Sequence, residues 1–111
     1  MRTVTKLTHK DEKVLNQLLK DKKKKTFTLL YYSEWCDQSA KITGMLEEWE
    51  AQETKKGEDV YLISSWELPH AFAAFSITNA PSIVKVSHGR ISVMVEYPKV
   101  HSYFATTPAR N

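Results

Sequence analysis

The chain has 111 residues, 41% of them hydrophobic, and a formal net charge of +3 from 16 Lys and Arg against 13 Asp and Glu. That size fits one domain with a modest core and argues against disorder. A single cysteine excludes an internal disulfide scaffold, and four scattered histidines match no zinc spacing, so neither a metal nor any other cofactor is expected.

Residues 3–7 alternate and favour a short strand. Thr8 then reads as a helix N-cap, with Asp11 closing a capping box. Val14, Leu15, Leu18 and Leu19 lie on one helical stripe. Lysines fill five of the six positions 20–25. Positive charge suits a helix C-terminus, so this run is expected to be a solvated helix end and turn. A nucleic-acid binder carries a broader basic stripe with aromatics interleaved, so no nucleic-acid partner is expected.

Residues 26–32 are almost all β-formers and apolar on both faces, the pattern of a central strand covered on both sides. A long helix is expected over residues 37–54, with Ile42, Met45, Leu46 and Trp49 on its apolar side and Gly44 as a weak or bent point. Residues 55–59 form a polar loop, and residues 60–63 another strand. Pro69 is placed to open a helix carrying Phe72, Ala73 and Phe75. After Ala80-Pro81, residues 82–87 and 91–97 alternate around His88-Gly89-Arg90 and form a β-hairpin. Pro98 starts a last short helix with Val100, Tyr103 and Phe104, and the tail from residue 106 is polar.

The order is β-α-β-α-β-α-β-β-α over residues 1–111, read as one domain. Helices between the early strands imply right-handed crossovers and a sheet covered on both faces; the closing hairpin makes the sheet mixed. No apolar run follows the charges at the N-terminus and none is long enough to span a bilayer, so no membrane partner is expected and the expected compartment is a reducing cytoplasm.

Three segments carry a resemblance. Ser33-Glu34-Trp35-Cys36-Asp37-Gln38-Ser39 is similar to the thioredoxin segment Ala-Glu-Trp-Cys-Gly-Pro-Cys. Ile77-Thr78-Asn79-Ala80-Pro81-Ser82 stands where that family has its cis-proline loop. Ser87-His88-Gly89 is similar to the family's Lys-Asn-Gly turn. The chain thus resembles a thioredoxin from about residue 3 to residue 104. The resemblance implies a three-layer α/β/α sandwich on a central mixed sheet of four to five strands. It also implies Cys36 and Ser39 as the reacting pair of positions, with Trp35, Asp37, Gln38, Ala80 and Pro81 forming a substrate groove and Trp66 a further contact or a core-edge residue.

The departures matter for chemistry. Ser39 replaces the second cysteine, Asp37-Gln38 the Gly-Pro, Leu30 the buried aspartate and Gly44 the helix proline of the family. A dithiol reductase attacks with one thiolate and resolves the mixed disulfide with a second thiol. With one cysteine the chain cannot complete that cycle alone. Cys36, at a helix start, can still perform the first step, since the helix N-terminus favours a thiolate while Asp37 opposes it. The expectation is a Cys-x-x-Ser monothiol protein that exchanges with protein thiols or disulfides or with glutathione. The alternatives are a groove that binds a partner without redox chemistry, a fold kept as an assembly subunit, and an inert Cys36. A monomer is expected.

Overall fold

The computed structural model describes residues 2–21, 23, 25–52 and 57–105. Strand β1 is Arg2–Leu7. Thr8 caps the next turn as the sequence predicts: its side chain accepts from the Lys10 N–H, and Asp11 accepts from the Thr8 N–H at 2.8 Å. A 3-10 turn, His9–Asp11, leads into helix α1, Glu12–Lys20. Within the lysine run, positions 22 and 24 lie outside the described residues, as does the tail from 106.

Strand β2, Thr26–Tyr32, is buried at every position from Phe27 onward. Helix α2 is Asp37–Ala51, and strand β3 is Glu58–Ser64. α2 ends at Ala51, short of the expected residue 54, because Gln52 is already extended as the C-cap residue. β3 begins earlier than expected because Glu58 and Asp59 pair with Arg2 and Thr3 of β1. Pro69–Phe75 winds as a 3-10 helix. Strands β4, Ser82–Ser87, and β5, Arg90–Met94, form the hairpin; helix α3 is Tyr97–Phe104. β5 stops short of the expected residue 97 because Glu96, still extended, serves as the N-cap residue of α3. His88 and Gly89 both have positive φ, 47° and 90°, which matches the twist of a two-residue hairpin.

The sheet order is β1-β3-β2-β4-β5. β1 and β2 both run parallel to β3, whereas β4 is antiparallel to β2 and to β5. Each parallel pair needs a crossover, and these carry α1 and α2 to opposite faces. One face packs Leu15 and Leu18 of α1, with Ala71 of the 3-10 helix, onto Phe27, Leu29, Tyr31 and Val84. The other packs Ile42, Leu46 and Trp49 of α2, with Val100 and Phe104 of α3, onto Leu30, Val60 and Ile83. This is the expected α/β/α sandwich.

Gly44 neither breaks α2 nor is needed for close approach. The helix runs through it, and a Cβ there would meet nothing within 4 Å. Gly44→Ala is expected to raise stability by about 0.5–1 kcal/mol by restricting the unfolded chain, read as a higher denaturation midpoint at unchanged slope.

Candidate functional site

The sheet presents the C-terminal ends of β2 and β3 beside the start of β4. β2 ends at Tyr32; residues 33–35 turn the chain, and Cys36 becomes the N-cap residue of α2 with extended φ and ψ of −105° and 121°. Its sulfur lies near the first-turn N–H groups without completing a capping hydrogen bond. It points across to the segment before β4, where the thiol donates to the Ala80 carbonyl with sulfur and oxygen 3.6 Å apart. The Ala80–Pro81 bond is cis. Cys36 is partly exposed, Ala80 is partly exposed and Pro81 is buried.

The thiol is held below its ordinary pKa. The largest cause is the Ser39 N–H directed at the sulfur, followed by the opposing effect of partial burial. The Ser39 hydroxyl and the Gln38 N–H also favour the thiolate, while the Asp37 carboxylate works against it. Ser39 and Gln38 thus supply donors of the helix's first turn to the sulfur, and Asp37 of the same turn opposes them. A lowered thiol pKa means the folded state gains stability as pH rises through that value, until the ordinary thiol range is reached. Asp37→Asn is expected to lower the thiol pKa further, seen as an alkylation-rate profile displaced to lower pH.

Ser39 is wholly buried, and its hydroxyl oxygen accepts from the Ser33 N–H at 3.2 Å. It therefore ties the loop before Cys36 to the first turn of α2. Leu30 is also wholly buried, lying between Leu62 of β3 and Ile83 of β4 in the α2-side core. Asp37 and Gln38 are exposed at the helix start.

Trp35 is 72% exposed and Trp66 68% exposed. Their rings meet edge to face with centroids 5.4 Å apart. Trp66 is thus a surface contact rather than a core-edge residue. Two large apolar rings beside a partly exposed sulfur make a surface that binding can dry.

A buried hydroxyl that the sequence did not single out organises this rim. Ser64, at the end of β3, donates to the Glu34 carboxylate and accepts from the N–H groups of Trp66 at 3.0 Å and Glu67 at 3.2 Å. All three hydrogen-bonding positions of the hydroxyl are used. It joins the loop carrying Trp35 to the loop carrying Trp66. Glu67 is in turn held by the His9 N–H at 3.0 Å and the His9 ring at 2.8 Å, which keep its carboxyl below the usual pKa. These partners are 30 and 58 residues apart, so no local pattern announces them.

Among the described residues no cluster of His, Cys, Asp and Glu could hold a metal ion, and no helix is long and apolar enough to cross a membrane.

No protein-family model matches the chain, and no curated protein matches its sequence. Solved structures do. Thioredoxin O2 from Arabidopsis thaliana, in its oxidised state, superposes with a TM-score of 0.68 at 16% identity, covering 91% of this chain and 90% of its own. The thioredoxin of Malassezia sympodialis gives 0.68 at 15% identity, covering 92% and 88%. That of Fasciola hepatica gives 0.62 at 19% identity, covering 94% and 96%. Identities this low speak for architecture alone, and the architecture agrees from β1 to α3: the chain has the thioredoxin fold.

Proposed function

We propose that this protein is a monothiol exchange protein acting through Cys36, with no dithiol cycle of its own. The Cys36 thiolate attacks one sulfur of a protein disulfide or of oxidised glutathione, and the other sulfur leaves as a thiolate. The product is a mixed disulfide on Cys36, which an external thiol then cleaves, restoring Cys36 and carrying away the captured sulfur. No net oxidant or reductant beyond these thiols is required.

The observation that carries this reading is the lowered pKa of a partly exposed sulfur lying 3.6 Å from the Ala80 carbonyl. Ser39 supports the thiolate, and Gln38 contributes its N–H. Asp37 moderates the effect and fills the rim. Trp35 offers apolar contact area, and the backbone at Ala80, held by Pro81, offers strand-like pairing to an extended peptide. A reducing cytoplasm suits a sulfur that must stay reduced, and the groove is complete within one copy of the chain.

The test is the pH profile of Cys36 alkylation joined to trapping of mixed disulfides from extract. The expected midpoint lies below the roughly 8.5 of a free cysteine, with adducts absent from Cys36→Ser. A midpoint at the free value and no adduct would end the proposal.

A second reading, a groove that binds a partner without exchange, is favoured by the exposed Trp35–Trp66 pair. It expects Cys36→Ser to keep the partner and a bulky substitution at Ala80 to lose it.

A further inference from the structure

The two edges of the sheet differ. On β1 the outer edge is partly covered by α2: the Val4 N–H donates to the Glu50 carboxylate at 2.8 Å, and the Arg2 side chain donates to the Trp49 carbonyl at 2.9 Å. On β5 the outer edge is open. Ile91, Val93 and Val95 are 41%, 45% and 45% exposed. They alternate along one face of the strand, beside Val86 and Val84 of β4.

The turn fixes which backbone groups point outward. Ser87 and Arg90 flank the two-residue His88-Gly89 turn and form the first hydrogen-bonded pair of the hairpin. Alternation then directs the groups of Ser92 and Met94 toward β4. Those of Ile91 and Val93 face away from the sheet, as do those of Val95 while the chain stays extended to Glu96. Among the described residues nothing pairs with these outward peptide groups, so the same residues present open backbone and bare β-branched side chains, which natural edges ordinarily avoid.

From this we infer that β5 is a homodimer interface, in which two copies pair antiparallel about a two-fold axis through Val93. In that register Val93 faces the partner's Val93, and Ile91 faces the partner's Val95. Both are hydrogen-bonded pairs, because all three residues direct their peptide groups outward. Arg90 then stands opposite the partner's Glu96, twice, once on each side of the axis. This complementarity of charge at both ends of an apolar centre singles out a second copy as the occupant. Arg90 makes no ion pair among the described residues, and Glu96 holds Lys99 through one carboxylate oxygen at 3.3 Å, leaving the other to face the partner. On the opposite face, Met94, Pro98 and Tyr103 line an open groove of about 660 Å³, which the partner's Ser92 and Met94 would border. The pairing joins two five-stranded sheets into one of ten. It leaves Cys36 free, does not depend on the thiol chemistry, and departs from the expectation of a monomer.

Sedimentation of the full chain from micromolar to millimolar concentration tests it. The wild type is expected to dimerise. Val93→Lys, which sets two like charges on the axis, is expected to leave only monomer. Arg90→Glu and Glu96→Arg are each expected to weaken the dimer roughly tenfold or more, since each creates two like-charged pairs, and the double swap R90E/E96R is expected to restore it. A wild type that stays monomeric at millimolar concentration, a dimer that survives Val93→Lys, or a double swap no tighter than the single variants would overturn the inference. Capture of a different chain on β5 by a monomeric wild type would overturn it as well.

Discussion

Trp49→Ala is expected to remove about 3–5 kcal/mol of stability, a large part of what a domain of this size possesses. Trp49 is 2% exposed at the centre of the α2-side core. Its ring meets Phe104 of α3 edge to face at 5.1 Å and lies under the Arg2 guanidinium of β1 at 4.2 Å. One side chain thus joins β1, α2 and α3, and its loss leaves a cavity that three elements must shift to fill. The paired control is Trp66→Ala, which deletes the same atoms from the surface and is expected to cost no more than about 1 kcal/mol. Urea denaturation of both decides the matter; similar losses for the two would show that the core is not organised around Trp49.

Ser39→Cys is expected to convert the end state of oxidation. With oxidised glutathione, the wild type should stop at a glutathione adduct on Cys36. In the variant the new thiolate attacks the Cys36 sulfur, expels glutathione and closes a disulfide between positions 36 and 39. The Ser39 hydroxyl already contacts the Cys36 sulfur, so the two sulfurs would start within reach. Intramolecular attack replaces a bimolecular one, and the adduct should be shorter-lived by roughly a hundredfold or more. The Ser33 N–H loses an oxygen acceptor, at a cost of about 1 kcal/mol. Mass spectrometry after timed quenching reads the result: an adduct that persists in the variant as long as in the wild type would rule out this geometry.

Local chemistry made much of this legible in the sequence. The Thr8–Asp11 capping box and the β-forming run of β2 each act over a few residues, and each formed where its pattern lay; the hairpin turn formed in place but with two residues, His88 and Gly89, since Arg90, expected in the turn, already pairs with Ser87. The 3-10 winding of Pro69–Phe75 was not legible, because the spacing of Phe72, Ala73 and Phe75 allows either helix. Nor was the surface pairing of Trp66 with Trp35, a ring 31 positions away in the sequence. The Ser64 hydroxyl was invisible for the same reason: a serine ending a strand is common, and only the fold brings Glu34 and Trp66 to it. Cys36, Ala80 and Pro81 were legible as a group only through their resemblance to a family whose members the chain matches at under 20% identity.

Leu30 carries a last consequence. Beneath the sulfur the sheet is a sealed hydrocarbon floor of Leu30, Leu62 and Ile83, and among the described residues the interior holds no acid, histidine or lysine. Proton traffic at Cys36 must therefore run through solvent. Its reactivity should climb with pH along a curve set by solvent and by the first turn of α2 (Ser39 and Gln38 favouring the thiolate, Asp37 opposing it), with no buried ionisable group below to bend it.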